Sequence, residues 1–152
     1  MAGFLMRQAQ ARPLVTLKLA TSLDGCIARA DGESRWITGA AARAHVHLER
    51  SRHEIVLVGR GTWDMDRPAL DVRLPGLEAR APTRVVLSRG SAEDGVTRIA
   101  SPEDVATLPG DHVFVEGGAG AASAFLAADL VDRLLLYLSL IPISEPPRQE
   151  AL

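Results

Sequence analysis

The fold is indicated most directly by residues 54–59, which read Glu-Ile-Val-Leu-Val-Gly. An unbroken run of β-branched and leucine residues that ends at a glycine is typical of a strand covered on both faces. Residues 84–87 and 113–115 repeat this pattern, and residues 39–52 place apolar side chains at helical spacing. This alternation predicts an α/β fold with a mostly parallel central sheet.

Further elements extend the alternation in both directions. Two Asp-Gly turns flank a short strand predicted over 26–28, Thr38 and Ser101 are predicted to cap helices, and three prolines after residue 138 indicate a tail. The other predicted elements are strands over 14–20, 96–100 and 131–138 and helices over 103–107 and 119–128.

The composition is that of one ordinary globular domain. The 152 residues are 47% hydrophobic and 24% charged, with a net charge of −2, which argues against disorder and against broad binding of nucleic acids or membranes. Cys26 is the single cysteine, so a reducing, cytoplasmic location is expected. The apolar stretch over 134–143 is about half the length that a bilayer requires, and the first residues lack the apolar core of a secretory signal.

A glycine-rich segment, Val-Glu-Gly-Gly-Ala-Gly-Ala over 115–121, follows the strand predicted at 113–115. Gly117, Gly118 and Gly120 lack β-carbons, so a phosphate group can approach the backbone where the next helix begins. The spacing matches neither the Rossmann fingerprint nor a Walker A loop. Nucleotide binding and plain tight packing therefore both stay open.

Four polar residues are candidates for ligand binding. Arg50 lies late in its helix and Arg73 lies in a loop, and together they suit a small anion such as a phosphate monoester, although each also fits a solvated surface arginine. Thr62 and Asp66 follow a buried strand, at the end of an α/β sheet where ligands bind, although helix capping explains them equally well.

Lys18 and Glu116 are isolated charges on strands that otherwise read as buried. Unpaired charges are costly in such places, which favours a functional site for both. Trp36 precedes a helix and is expected either to stack on a ligand ring or to cover the core. The four histidines show no metal-ligand spacing and Cys26 has no evident partner histidine, so neither a metal site nor a cysteine nucleophile is predicted.

Two longer motifs add a family resemblance. Residues 16–25, Thr-Leu-Lys-Leu-Ala-Thr-Ser-Leu-Asp-Gly, and residues 32–38, Gly-Glu-Ser-Arg-Trp-Ile-Thr, closely resemble the reductase domain of the bifunctional riboflavin-biosynthesis deaminase/reductase, and the likeness covers about residues 3–137. The resemblance implies a dihydrofolate-reductase-like three-layer fold. It also implies a pyrimidine reductase that uses NADPH to convert 5-amino-6-(5-phosphoribosylamino)uracil into 5-amino-6-(5-phosphoribitylamino)uracil by hydride transfer to C1 of the sugar.

Carried over by position, the resemblance divides the candidate residues between two ligands. Lys18 and Glu116 are the catalytic candidates, Lys18 to orient the sugar or to help deliver a proton. The residues expected on the NADPH side are Ala20, Trp36, Thr62, Asp66, Ser88, Gly118, Ala119, Gly120, Ala121, Ala122 and Ser123. The residues expected on the substrate side are Ser34, Arg50, Leu70, Arg73 and Glu116, with both arginines on the ribose phosphate.

The chain also departs from the family pattern. The zinc-binding deaminase half is absent, so residues 1–13 are interpreted as the end of an interdomain connector and residues 14–138 as the reductase domain. Asp66 and Arg67 stand where the family has two acids before a proline, and Trp63 is bulkier than usual. The resemblance ends near Tyr137, so we expect a fold truncated at its C-terminus, an atypical tail over 139–152, and a homodimer only where that segment permits one.

Two alternatives accompany this hypothesis. One is a related reductase that acts on the non-deaminated diaminopyrimidine, which differs from the first substrate by one exocyclic amine. The other is a nucleotide-binding or interaction domain without turnover, which predicts cofactor binding and no hydride transfer.

Overall fold

The computed structural model describes residues 1–23, 39–90 and 95–139 of the chain. Its centre is a sheet of six strands: β1 (Leu14–Ser22), β2 (Ile55–Gly59), β3 (Thr83–Leu87), β4 (Thr97–Ile99), β5 (His112–Val115) and β6 (Arg133–Ser139). The strand order is β4-β3-β2-β5-β1-β6, and each neighbouring pair runs parallel. The prediction of an α/β fold with a mostly parallel sheet is confirmed.

In the described ranges, four α-helices surround the sheet: α1 (Ala2–Gln10), α2 (Ala40–Arg50), α3 (Arg60–Asp66) and α4 (Ala119–Ala127). Two short 3-10 helices, Glu78–Arg80 and Pro102–Thr107, lie in the connections. Among the described residues, no helix combines the length and the apolar character that crossing a bilayer demands.

Alternate residues of the strands build two separate cores. The first core joins side chains such as Val15, Leu57 and Val115 to Phe125 of α4 and Val105 of a 3-10 helix, and we call this side of the sheet the apolar face. The second core is smaller: Val56, Val58, Val86 and Phe114 pack with Trp63 and Leu70, and Val46 of α2 lies against them. We call this side the polar face, because Thr16 and Lys18 alternate with the apolar residues of β1 and therefore point to it. The two cores give the fold its three layers.

Helix α1 was not predicted, because its sequence carries no capping signal that would separate it from a connector. It ends at Gln10, and the next residue, Ala11, adopts a left-handed conformation and donates its amide to the Arg7 carbonyl oxygen. Gly3 lies against Asp111 and His112, where a β-carbon would come within 2.4 Å of the Asp111 carbonyl oxygen. The Arg7 guanidinium donates to the carbonyl oxygen of Leu108 at 3.0 Å. Tertiary contacts therefore account for the helix.

The other differences concern two short helices. Helix α3 begins directly after β2, so Thr62 and Asp66 lie within a helix, whereas the sequence predicts a strand exit with helix capping as the alternative role of these two residues. The helix predicted over 103–107 is a 3-10 helix, and the carboxylate of Asp104 accepts the amides of Ala100 and Ser101 at its start. The strand predicted over 26–28, the cap at Thr38, and the tail after residue 139 lie outside the described residues.

Strand β6 is an edge strand of the described sheet. Leu134, Leu136 and Leu138 lie opposite residues 17, 19 and 21 of β1, so they point to the apolar face. Each of these leucines is more than half exposed. The apolar face is thus covered over its centre and open beside β6.

Candidate functional site

The candidate residues collect at one edge of the sheet. All six strands are parallel, so their carboxyl ends meet at the same edge, which is where ligands bind in open α/β sheets. Ala20 lies near the end of β1, and Thr62, Ser88 and Glu116 lie just after the ends of β2, β3 and β5. These four residues include members of both the predicted cofactor side and the predicted substrate side. Ser34 and Trp36 lie outside the described residues.

The glycine turn combines tight packing with open space. A β-carbon at Gly117 would lie 2.3 Å from that of Ala121, and one at Gly118 would lie 3.3 Å from the Thr62 hydroxyl. A β-carbon at Gly120, in contrast, would meet nothing within 4 Å. Packing therefore explains Gly117, whereas the exposed backbone at Gly120 leaves room for a ligand at the start of α4.

The start of α4 offers the donors that a phosphate requires. The hydrogen-bond pattern of α4 begins with the Ala122 amide, which donates to the Gly118 carbonyl oxygen. The three preceding amides therefore have no acceptor within the helix. The helix dipole places partial positive charge at the same point. Thr62 supports the turn from the side, since its hydroxyl accepts the Gly118 amide at 3.3 Å. Gly118, Ala119, Gly120 and Ser123 are exposed here, whereas the side chains of Ala121 and Ala122 are buried.

A cavity of about 600 Å³ lies at the ends of β3 and β4 and reaches the helix that follows the turn, α4. Its lining includes two arginines, Arg60 and Arg89, together with Ser88 and with Ala124 of α4. The Ser88 hydroxyl accepts the Gly90 amide at 3.1 Å, which closes the loop after β3. Two guanidinium groups and a hydroxyl in one cavity suit an anionic group such as a phosphate. The family resemblance predicts Ser88 on the cofactor side and predicts neither arginine, although Arg60 directly follows β2 and Arg89 lies two residues after the end of β3.

The two charges singled out from the sequence meet on the polar face. Glu116 is nearly buried, with 7% of its side chain exposed, and it forms a two-pronged ion pair with Arg50, whose Nε and Nη2 lie 2.5 and 2.9 Å from its oxygens. Burial lowers the pKa of Lys18, the Glu116 carboxylate opposes this shift, and the Arg50 charge adds to it. Lys18, Arg50 and Glu116 thus form one electrostatic unit, drawn from β1, α2 and the end of β5.

A second charged pair borders this unit toward solvent. The third nitrogen of Arg50, Nη1, donates to the Asp71 carbonyl at 3.0 Å, while the Nε of Arg73 lies 3.0 Å from both oxygens of the Asp71 carboxylate. The hydrogen bond from Arg73 lowers the pKa of the Asp71 carboxyl group. The Arg73 side chain is 67% exposed. The site therefore combines three cations and two anions, with one arginine buried and one open to solvent.

Leu70 reaches this region through its backbone. Its side chain is buried against the second core, beside Trp63. Its φ of +51° is unusual for a residue with a branched side chain, and such strained conformations cluster at functional sites. The next residue is Asp71, whose carbonyl oxygen meets Arg50. The substrate-binding role of Leu70 stays a prediction. Its side chain is buried, so a contact with substrate would involve its backbone.

One signal in the sequence was overlooked. Lys18 is the only lysine of the chain, and every other residue among its 17 lysines and arginines is an arginine. Arginine stays protonated in proteins, whereas a buried lysine can release its proton, so the two are not interchangeable. The single tyrosine, Tyr137, lies on β6 with its ring centroid 5.9 Å from the Lys18 ammonium. In the described part of the chain, no group of three metal-ligating side chains is present.

Comparison with known proteins decides the family. The family model described as RibD C-terminal domain matches residues 13–141 of the chain. The chain belongs to this family. A riboflavin biosynthesis protein RibD from Corynebacterium ammoniagenes is 40% identical to the chain over 152 residues, which cover 88% of the chain and 45% of that protein. The RibD of Escherichia coli is 31% identical over 90% of the chain and 51% of that protein.

Solved structures agree with this assignment. A deaminase and 5-amino-6-(5-phosphoribosylamino)uracil reductase from Thermotoga maritima superimposes with a TM-score of 0.80 at 32% identity, over 93% of the chain and 49% of that protein. The riboflavin biosynthesis reductase Rib7 of yeast has a TM-score of 0.58 at 23% identity, which shows the fold alone. The fold of the RibD C-terminal domain is thus the α/β, dihydrofolate-reductase-like fold expected from the resemblance. The chain spans about half the length of the relatives it matches.

Proposed function

We propose that this chain is an NADPH-dependent reductase that converts 5-amino-6-(5-phosphoribosylamino)uracil into its ribitylamino product. The observation that carries the proposal is the junction at the end of β5, where Glu116, paired with Arg50, directly precedes Gly117 and the glycine turn. A cofactor phosphate on the turn and a substrate beside Glu116 would then be neighbours. The printed activity of the Thermotoga relative supports the choice of substrate.

The cofactor side of the site fits a dinucleotide that carries an extra phosphate. The amides of the first α4 turn suit a pyrophosphate, and the cavity with Arg60, Ser88 and Arg89 reaches Ala124 of the same helix. An additional phosphate distinguishes NADPH from NADH, and the Arg89 guanidinium provides charge for it, whereas the Nε of Arg60 is paired with the Asp64 carboxylate at 2.6 Å. Thr62, Asp66 and Ala20 complete the predicted cofactor side, on the same edge of the sheet.

The substrate side fits a phosphorylated sugar. All three nitrogens of Arg50 already donate to Glu116 or to the Asp71 carbonyl, whereas Arg73 is exposed and its Nε is paired with the Asp71 carboxylate. We therefore assign first contact with the ribose phosphate to Arg73 and the orientation of Glu116 to Arg50. The excess of positive charge in the site favours a dianionic ligand.

The chemistry requires alignment and one proton. Bound NADPH supplies the hydride that C1 of the sugar accepts in its open imine form. The nitrogen of that imine takes up a proton, for which we assign the Lys18 ammonium, because burial already lowers its pKa toward the working range of an acid catalyst. The Glu116 carboxylate, held in place by Arg50, orients the sugar for this step.

The test is an assay of the purified chain with NADPH and the freshly deaminated substrate, followed through substrate-dependent loss of the reduced nicotinamide absorbance. We expect turnover, and slower turnover with the non-deaminated pyrimidine. Cofactor binding without turnover by a folded sample would favour the binding-domain alternative. Preference for the non-deaminated pyrimidine would reassign the substrate.

The cofactor assignment has its own variant. Removing the Arg89 guanidinium, as Arg89→Ala, should raise the Michaelis constant for NADPH about tenfold or more, since a hydrogen-bonded charge is lost. The constant for NADH should stay within about twofold, because NADH lacks the additional phosphate. Equal effects on the two cofactors would contradict the placement of that phosphate in the cavity.

A further inference from the structure

The single lysine and the single tyrosine of the chain lie together on the polar face. In the parallel pairing of β1 with β6, Tyr137 lies directly opposite Ala20, and Leu135 lies opposite Lys18. Residues two apart on a strand point to the same face, so Lys18 and Tyr137 are diagonal neighbours. The Lys18 Nζ lies 5.9 Å from the centroid of the Tyr137 ring, within the range of a cation–π interaction.

The Tyr137 ring is fixed from its other end by α2. Its hydroxyl lies 2.7 Å from Nδ1 of His45, and the two rings meet edge to face with centroids 5.9 Å apart. The other nitrogen of His45 faces the Glu49 carboxylate at 3.7 Å. The carboxylate favours the tautomer of His45 that carries its proton on Nε2. In that tautomer Nδ1 is the acceptor, so the Tyr137 hydroxyl donates the hydrogen bond to it. Burial, together with the Glu49 and Glu116 charges, raises the pKa of Tyr137, which keeps the phenol protonated as a donor.

The charges around Lys18 show why the Tyr137 ring matters for its ammonium group. Glu116 attracts the ammonium and Arg50 repels it, but both oxygens of Glu116 are already paired with Arg50. The aromatic face stabilises the ammonium without adding a charge that would compete for the substrate phosphate. It also leaves the N–H groups of the ammonium available to a ligand.

We propose that Tyr137, anchored by His45, is a positioning residue that holds the Lys18 ammonium toward Glu116 and the substrate. The consequence for turnover rests on the proposed function, in which Lys18 delivers the proton. The effect on Lys18 itself does not depend on turnover. The two can therefore be tested separately.

The direct test is an NMR pH titration of the full chain labelled with carbon-13 lysine. The spectrum contains the signals of one residue, because Lys18 is the single lysine of the chain. Tyr137→Leu removes the aromatic face while keeping an apolar side chain over the amine. We expect the titration midpoint of Lys18 to fall by about half a pH unit, the value of one cation–π interaction. Tyr137→Phe keeps the face and should move the midpoint less than half as far.

Two further variants guard the interpretation. His45→Leu removes the anchor of the ring and should lower the Lys18 midpoint in the same direction, by less, so it replaces Tyr137→Leu if that variant does not fold. Leu136→Ala is the matched control, because Leu136 neighbours Tyr137 on β6, points to the opposite face and is exposed. Coincident midpoints in wild type, Tyr137→Leu and His45→Leu would overturn the proposal.

The kinetic readout connects the arrangement to the reaction. In Tyr137→Leu we expect kcat to fall about tenfold while the Michaelis constant for NADPH changes less than twofold, since only the proton donor is displaced. In a plot of kcat against pH, the midpoint of the transition should shift by the same amount as the NMR titration midpoint of Lys18. A shifted midpoint with unchanged kcat would show that Tyr137 positions a lysine that turnover does not use. If wild type has no turnover, the proposed function fails while the titration still decides the role of Tyr137.

Discussion

The apolar face and the polar face of the sheet are built from alternate residues of the same strands, yet only one of them carries charge. On β1, Val15 and Leu17 are fully buried in the apolar core, while Thr16 and Lys18 between them point toward α2. On β5, Val115 is fully buried and the next residue, Glu116, holds Arg50. The same two-residue periodicity therefore separates a face whose strand residues carry no charge from one that combines a smaller apolar core with charged side chains.

The comparison teaches how the burial of charge is tolerated. The apolar face gains free energy from each buried side chain, whereas the polar face carries a desolvated ammonium and a buried ion pair that contribute little to stability and are strongly destabilising if one partner is lost. Because these buried charges add little stability, a chemical role is the simplest explanation for them. We therefore expect substitutions on the two faces to separate stability from activity.

The largest effect is expected on the apolar face. Phe125 of α4 is fully buried, and Phe125→Ala should lower the free energy of unfolding by about 3–5 kcal/mol through lost contacts and a cavity. Its neighbour Leu126 is 54% exposed, so Leu126→Ala should change the free energy by less than about 0.5 kcal/mol. Urea unfolding measures both. A loss below about 1 kcal/mol for Phe125→Ala would contradict the assignment of the main core to this face.

On the polar face the largest expected effect is on activity. Lys18→Met keeps the length of the side chain and removes the ammonium, so turnover should fall about 100-fold or more through loss of the proton donor. The melting temperature should stay level or rise, because burial already disfavours the charge at this position. Turnover above a third of the wild-type rate would remove Lys18 from the mechanism. A lower melting temperature would show that the ammonium stabilises the fold.

A smaller effect is expected at the exposed rim of the polar face. Arg73→Ala should raise the Michaelis constant for the phosphorylated sugar about tenfold or more and change that for NADPH less than twofold, since one charged contact to one ligand is lost. Arg52→Ala is the matched control, because Arg52 is a similarly exposed arginine on the same side that pairs with Glu49. Steady-state kinetics with each substrate varied in turn gives both constants. Equal changes in the two would refute the division of the site between substrate and cofactor.

The smallest effect concerns a histidine inside the polar face. The Nδ1 of His53 lies 2.6 Å from the Glu49 carbonyl, which can only accept, so Nδ1 carries the proton and Nε2 accepts from the Thr16 hydroxyl at 3.2 Å. Burial lowers the pKa of His53 below its ordinary value of 6.5, despite the Glu49 carbonyl, and the nearby His112 adds to the shift. Below pH 6.5, His53 is therefore protonated more readily in the unfolded chain than in the folded chain.

Stability should therefore decrease as the pH falls from about 7.5 to 5. In His53→Gln the decrease should be smaller than in wild type. Urea unfolding at several pH values measures the slope. Equal slopes in wild type and His53→Gln would place the acid sensitivity elsewhere.

Much of the fold could be predicted because strands buried on both faces carry their signal locally. The run over 54–59 became β2, and the same pattern located β3 and β5. The pattern could not predict α3, since Arg60 to Asp66 form a short helix buried only through Trp63. It could not predict α1 either, because that helix depends on Gly3 and Arg7 docking against the loop before β5.

The candidate site shows the same division. Lys18 and Glu116 stood out from sequence alone, because an isolated charge among buried strand residues requires an explanation wherever the partner lies. The pairing of Arg50 with Glu116, the contact of Arg73 with Asp71, and the cavity lined by Arg60 and Arg89 could not be seen. The ion pair and the cavity join residues far apart in the chain, whereas Arg73 and Asp71 are two positions apart in a loop whose conformation the sequence does not specify.

By itself, the sequence determined the strands, the α/β class, the glycine turn and, through two motifs, a family that the comparisons confirm. The tertiary structure alone decided the neighbours, because the order β4-β3-β2-β5-β1-β6 sets strands from opposite ends of the chain side by side. That order brings Lys18 of β1 between Glu116 after β5 and Tyr137 of β6. Local periodicity settles which residues are buried, whereas only the packing of distant strands settles which charges share a site.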